Sequence, residues 1–545
     1  MASSTAGSPV TEPSTSLRSS AGLRAAPLVL ALLLAPVPAS AEALVRLTAP
    51  APANTVHALI GYGARLWFAT GDPFTNANLG DVWSWDPARG KARYERHLFS
   101  QSAGAPAVAG GLLYWPFEDS RFSPARAEFA VTDGRRWAWR AVGGVRAYHL
   151  HALDGHGGAL YAATSEWAGA LSRSADGGVT WRTLYHHPTP ARRVSRLTTL
   201  AALGSRLYAG LVGRYDVGPR VLRLAGATMI RAPGFPPARA VSAMVAFGGR
   251  LYAALATGHG REVWRRGDES AEPVPALAGR RIEALAAGEA ALWAVSGDGA
   301  LLRSADGARW ETVQRFPGEM PVAVAVHAGR VYVGTRDEGG LGALWGPPAP
   351  APVGRAIVAP APLPGRPPAA GPADFAALDA ALADPSAYAD EAERLKDILR
   401  ALSIHPEPAV GAALAARLAG PTPAGRFAYM GGALAATPAE IARWYLLWAL
   451  ARNGHGRVPP TLIRAPWRAA ENPSGKYFEP APAAMWAAAE LGQNDPETLA
   501  ALVSRLGAAG DPPWLTGDAV GALTAITGKR FAYDLPAWRR WWARR

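Results

Sequence analysis

The chain has 545 residues, 49% of them hydrophobic and 18% charged, more apolar side chain than one core holds, since single cores stop growing near ~250–300 residues. It contains no cysteine, which excludes disulfides, a thiolate nucleophile and a lipid-modified N-terminal cysteine. The net charge of +13 does not signal nucleic acid: 52 of the 56 basic residues are Arg in a chain rich in Ala, Gly and Pro, with no basic run interleaved with aromatics.

At the start, Arg18 and Arg24 precede an apolar run at 26–37, and Ala39-Ser40-Ala41 supplies the small-x-small pattern of a signal peptidase site. Residues 1–41 are therefore expected to be a signal peptide, and the protein periplasmic or secreted. The run is shorter than the about 20 residues a membrane helix needs. No later stretch is long and uncharged enough, so no transmembrane segment is expected after processing.

A phrase of a turn, an aliphatic, an aromatic and small residues then recurs, with the aromatic at Trp67, Tyr114, Tyr161, Tyr208, Tyr252, Trp293 and Tyr332. The spacings are 47, 47, 47, 44, 41 and 39, the period of a four-stranded propeller blade. Nine residues before each aromatic stand Ala58, Ala105, Ala152, Thr199, Ala243, Ala284 and Ala323, small side chains suited to inner strands crowding around an axis. Residues 42–348 are thus expected to form an all-β seven-bladed propeller. The seventh copy lacks a fourth strand, and residues 44–47 form an orphan strand before the first copy. Pairing the two would close the ring and leave no exposed edge.

Between third and fourth strands lies a turn, Ser174-Ala175-Asp176-Gly177-Gly178-Val179-Thr180-Trp181, with shorter versions at Ser304-Ala305-Asp306-Gly307-Ala308-Arg309-Trp310 and at 132–137. It resembles the Asp-box of sialidase-type (BNR) repeats. Its residue types fit a structural role: Asp accepts backbone N–H groups of its own turn, Gly adopts φ > 0, and Trp covers the hairpin. Ser174, Asp176, Gly178, Trp181, Ser304, Asp306, Gly307 and Trp310 are read in this way and not as catalytic.

Residues 349–372, mostly Pro, Ala and Gly, read as a semi-rigid connector. Beyond it, 373–545 show helical periodicity in the sets Leu395/Ile398/Leu399/Leu402, Ile441/Trp444/Tyr445/Trp448 and Leu499/Leu502/Val503/Leu506. Thr437 to Glu440 reads as a capping box, and Asp495 and Asp511 stand as acceptors before Pro. Seven or eight short helices are expected, and the whole chain is multidomain. The segment 519–542, with a Thr-Gly turn, Phe531-Ala532-Tyr533-Asp534 and a Trp-rich end, resembles the close of bacterial HEAT-like domains. That resemblance implies an α-solenoid scaffold, with Trp538, Trp541 and Trp542 as a cap.

No metal or cofactor site is signalled: there is no His-Glu-x-x-His, and the 11 His are scattered. Ten residues before each aromatic stand His57, Gly104, His151, Thr198, Ser242, Glu283 and Val322. Projected around one mouth of the channel, His57, His151, Thr198, Ser242 and Glu283 form a candidate ligand-binding ring. Sialidases resemble this chain in blade architecture, but their Arg-Ile-Pro motif is missing and the blade count differs. The leading expectation is a monomeric, non-enzymatic recognition scaffold that binds a protein or glycan partner through the propeller, with the helical domain as a second surface. The alternatives are an Asp-box-class glycoside hydrolase with an atypical site, and an assembly or stability factor for a membrane-bound complex.

Overall fold

The computed structural model describes residues 43–71, 78–119, 127–145, 147–165, 168–188, 194–213, 217–267, 270–348, 361–369, 371–429, 434–467 and 478–545. The proposed signal peptide and residues 349–360 of the connector lie outside the described residues.

Seven antiparallel four-stranded blades follow one another. Their inner strands are Thr55–Tyr62, Ala107–Ala109, His149–His156, Ser195–Leu203, Ala238–Phe247, Ile282–Ala287 and Met320–His327. Blade 7 is completed from the other end of the repeat array: Val45–Thr48 pairs antiparallel with Leu344–Gly346. Leu44 is buried, and its backbone N–H and C=O bond the Gln314 side chain of blade 6 at 2.7 and 3.1 Å. The expected ring closure is therefore present, one residue later than the predicted strand.

The repeat position ten before the aromatic has a structural identity that the spacing did not reveal. His151, Thr198, Ser242, Glu283 and Val322 are each the extra residue of a β-bulge, skipped between Leu150 and Ala152, Leu197 and Thr199, Val241 and Ala243, Ile282 and Ala284, and Pro321 and Ala323. In blade 1 the irregularity comes one position later: His57 stays paired with Ala69, and Ala58 and Leu59 are skipped before Ile60. A bulge kinks the strand and re-aims its side chain, so His151, Thr198, Ser242 and Glu283 stand out of ladder register while His57 does not.

The turns before the fourth strands close as their residue types dictate. Asp176 accepts the backbone N–H groups of Val179 and Thr180 at 3.1 and 2.9 Å, Gly178 N–H donates to Ser174 Oγ at 2.8 Å, and Trp181 Nε1 to Gly178 O at 3.1 Å. Asp306 accepts from Ala308 and Arg309, both at 2.8 Å. Each turn also covers the repeat aromatic of the preceding blade: Tyr114 donates to Gly177 O at 3.2 Å, and Trp310 packs in the cluster around Tyr252. Gly307, at φ +71°, faces Tyr252 so closely that a Cβ would collide with its hydroxyl, whereas Gly90, at φ +59°, faces open space. Gly307→Ala is therefore expected to cost about 2–4 kcal/mol in urea unfolding, strain plus overpacking, and Gly90→Ala only about 1–2 kcal/mol.

The helical domain contains, among the described residues, α1 (Phe375–Ala383), α2 (Glu393–Ser403), α3 (Pro408–Ala416), α4 (Pro438–Asn453), α5 (Pro460–Ile463), α6 (Pro480–Glu490), α7 (Pro496–Ser504), α8 (Pro513–Thr527) and α9 (Leu535–Ala543). Thr437 and Glu440 form the capping box of α4, and Asp495 caps α7 at Thr498 N–H, 3.0 Å. Asp511 does not cap α8. The helix starts two residues later behind Pro512, and Asp511 instead faces Arg505 at 3.3 Å. Contacts run α2 to α4 to α6 to α8 in one row, with α3, α5, α7 and α9 behind. Trp538 is fully buried, T-stacked on Phe531 at 5.0 Å.

The inner row lies on blades 1 and 2, where one continuous core runs from Phe99, Phe117 and Trp139 into Trp448 and Trp486. At its centre His97, the last residue of strand Lys91–His97, is held between two carboxylates, with Nδ1 2.7 Å from Asp81 Oδ1 and Nε2 2.9 Å from Asp518 Oδ1 of α8. Tyr533 donates to Asp81 Oδ2 at 2.7 Å, and Tyr94 to Asp81 Oδ1 at 3.2 Å. Gly521 on α8 leaves the room for His97, since any Cβ there would strike the imidazole stem. Beside this cluster Arg530 bonds Glu95, Arg96 bonds Glu490 at 2.5 Å, and Arg452 bonds Glu128 at 2.6 Å.

Candidate functional site

The starts of the inner strands and the ends of the second strands share one end of the propeller. Blades 1 to 3 gather there a polar cluster that the repeat alignment shows only in part. His149 opens the blade 3 inner strand, and its Nδ1 lies 2.7 Å from Glu118 O and 3.2 Å from Glu118 Oε1. Glu118 comes from just beyond the second strand of blade 2, Leu112–Pro116. The His149 and His151 rings stack 5.3 Å apart at 20°. His151 Nε2 is 2.8 Å from Ser165 Oγ, and His57 Nε2 is 3.1 Å from Ala103 O of blade 2.

The electrostatics divide these groups into a hydrogen-bonded pair and two neutral rings. Burial opposes charge on Glu118, but the bond and charge of His149 prevail and hold its carboxyl down to about 2. Burial likewise opposes charge on His149, and Glu118 reverses it, so this imidazole is raised above its ordinary value. His151 is lowered to about 3, by burial and then by the neighbouring His149 charge, and His57 to about 4, chiefly by burial. The mouth thus presents a carboxylate, an imidazole that this carboxylate pulls toward its charged form, and two imidazoles that stay neutral at pH 7.

Two buried polar atoms here, Glu118 Oε2 and His57 Nδ1, have no hydrogen-bond partner among the described residues. A buried acceptor left unmade costs about 1–3 kcal/mol, which a bound donor would recover.

Of the other ring positions, Ser242 and Glu283 are engaged elsewhere. Ser242 Oγ donates to Ile282 O at 2.8 Å, joining blade 5 to blade 6, and Glu283 pairs with Arg281 at 2.5 Å. Thr198 Oγ1 is buried with no partner among the described residues. At Gly104 the missing side chain lets the His151 carbonyl approach, so that Ala105 N–H reaches it at 2.7 Å. The structure therefore brings His57 and His151 together through Glu118, and leaves Ser242 and Glu283 as parts of blades 5 and 6. Glu118 escaped the repeat alignment because, four residues after the repeat aromatic, only blade 2 carries a carboxylate, where the other blades have Gly71, Ser165, Val212, Ala256, Gly297 and Arg336.

No family model matches this chain, and no curated protein matches it. Solved structures do. YCF48 from Cyanidioschyzon merolae is 13% identical, with 56% of this chain and 98% of that one covered, at a TM-score of 0.40. Virginiamycin B lyase from Staphylococcus aureus is 13% identical over 56% and 99%, at 0.42. The β-propeller domain of Myceliophteria thermophila Swd1 is 14% identical over 56% and 99%, at 0.39. Among the described residues no group of three or more His, Asp or Glu is placed to hold a metal ion, and no helix is long and apolar enough to cross a membrane.

Proposed function

We propose that this is an exported, non-enzymatic recognition scaffold of the Asp-box propeller type, acting in the periplasm or outside the cell, which takes a protein or glycan partner at the mouth formed by blades 1 to 3. The observation that supports this most is the pair of desolvated, unmatched atoms, Glu118 Oε2 and His57 Nδ1, beside neutral His151. A partner offering N–H or O–H groups, such as a backbone amide or a sugar hydroxyl, satisfies both.

The HEAT-like domain offers its outer row for a second contact, because the inner row is spent on the propeller. The variant that isolates the mouth is Glu118→Gln, which keeps shape and one acceptor while removing the charge. Capture of envelope components on the immobilised mature protein is expected to fall at least tenfold for the binder that the wild type retains. Equal retention by wild type and Glu118→Gln would move recognition elsewhere on the molecule.

The His149–Glu118 pair also favours a second reading, a hydrolase using a carboxylate and an imidazole at one mouth. Turnover of glycoside or ester substrates by the wild type, lost in Glu118→Gln, would establish it. An assembly factor for a membrane complex differs from both in that its retained binder would be a membrane subunit.

A further inference from the structure

Away from the mouth, a cleft of ≈ 790 Å³ opens where the outer strand of blade 2 and the box turn of blade 3 face the helical domain. Its walls carry Trp137, Trp139, Trp181 and Trp448, and among its charged groups are Arg140, Arg366 and Arg452.

The three arginines differ in what neutralises them. Arg452 has the Glu128 carboxylate at 2.6 Å, and its guanidinium lies 5.3 and 5.2 Å from the Trp139 and Trp486 ring centroids. Among the described residues Arg140 donates only to carbonyls: Trp139 O at 2.6 Å, Gly365 O at 2.9 Å, and Pro364 O. Arg366 donates to Asn453 O at 2.6 Å. Carbonyls fix the direction of a guanidinium but leave its charge whole.

The remaining charges facing the cleft supply the balance only in part. Glu490 is bonded by Arg96 while its charge also acts on Arg140 and Arg366, one carboxylate for three guanidinium groups, and Arg400 pairs with Glu393 and Asp397 on its own helix. Burial first, then the charges of Arg452 and Arg366, pull Arg140 down to about 10 against the opposing charge of Glu490. Two oriented positive charges in a concave, indole-walled site between domains are the features of a small-molecule pocket: apolar lining, few convergent polar groups, and a volume inside the usual ~300–1,000 Å³.

We infer that this cleft binds a small amphiphilic carboxylate, its flat apolar body lying against the tryptophans and its anionic group meeting Arg140 and Arg366. A carboxylate matches the planar guanidinium fork, and an aromatic body matches the indole walls. The site is separate from the propeller mouth and stands or falls without it.

The test uses the full mature chain with naphthalene-2-carboxylate, followed by calorimetry and tryptophan fluorescence, and the neutral naphthalene-2-methanol beside it. Saturable binding of the acid, at least tenfold tighter than the alcohol and weakened by salt, is expected. Arg366→Gln keeps a donor toward Asn453 O and removes the charge, so it should weaken the acid about tenfold and leave the alcohol unchanged. Equal binding of acid and alcohol to the wild type, or no saturable binding at millimolar acid, would overturn the assignment whether or not the variant folds. Glu118→Gln is expected to leave the affinity for the acid unchanged, so failure here and failure at the mouth are told apart.

Discussion

Replacing His97 with Leu is expected to cost about 3–5 kcal/mol of stability in urea unfolding of residues 42–545, the usual size for removing one partner of a buried charged set. His97, Asp81 and Asp518 are all completely buried. Without the imidazole, two carboxylates from different domains face each other across a gap with no cation. The double variant His97→Leu with Asp518→Leu should recover part of the loss, since replacing both partners by apolar groups is often close to neutral. A single variant as stable as the wild type would show that the apolar core around Trp139 and Trp486 holds the domains together by itself.

The same cluster gives the interface a pH dependence with a defined sign. Burial disfavours the His97 charge, but the bonds to Asp518 and Asp81 outweigh it and raise the imidazole to about 9. A raised histidine contributes stability that is complete below its unfolded value, about 6.5, and is lost as pH rises through 9. Asp518 is raised to about 6, by burial first and with Asp81 adding repulsion. A raised carboxyl likewise favours the folded state at low pH and stops doing so as pH passes 6. Both groups therefore weaken docking on the alkaline side. Urea midpoints are expected to fall between pH 6.5 and 9, with the fall flattened in His97→Leu.

How much of this could be read in advance depended on whether a feature repeats. The seven inner strands, the box turns and the closing strand were legible because each is one position of a periodic pattern or its interrupted end. The α4 stripe of Ile441, Trp444, Tyr445 and Trp448 was legible for the same reason, at period 3.6. The bulges were not, although the polar set they carry was visible: a bulge is a shift against a partner strand, and spacing within one strand does not contain it. Glu118 was invisible because only blade 2 has it.

The domain contact was hidden most completely. Asp81 and Tyr533 stand 452 positions apart, and neither residue is unusual where it stands. Tyr533 belongs to the segment whose resemblance to a HEAT-like closing motif promised only a cap. In the fold the motif divides its work, with Trp538 capping the helices and Tyr533 and Arg530 reaching blade 1. The connector likewise does more than space the domains: Leu363 packs on the core between blades 2 and 3, and Arg366 reaches back to α4.

Removing residues 43–48 should be the most damaging small deletion outside the core. The lost strand carries three ladder pairs with Leu344–Gly346, the buried Leu44 and the partly buried Leu47. Burial of two leucines at about 1.5–3 kcal/mol each and a few hydrogen bonds at about 1 kcal/mol give a loss on the order of 5 kcal/mol. That is a large part of the 5–15 kcal/mol by which domains are usually stable. The deletion also bares an apolar edge, since Leu344 and Val333 would lose their cover on one side, and an unprotected edge recruits further strands. Two results are therefore expected together: a lowered thermal midpoint, and concentration-dependent association in sedimentation. A synthetic peptide of residues 43–50, added in trans, should reverse both by refilling the edge. A deletion that melts as the wild type does and associates no more than it does would mean that blades 1 and 7 hold through the Thr55–Arg336 bridge and their packed faces alone. The ring would then owe its integrity to the contact between neighbouring blades and not to the strand that closes it.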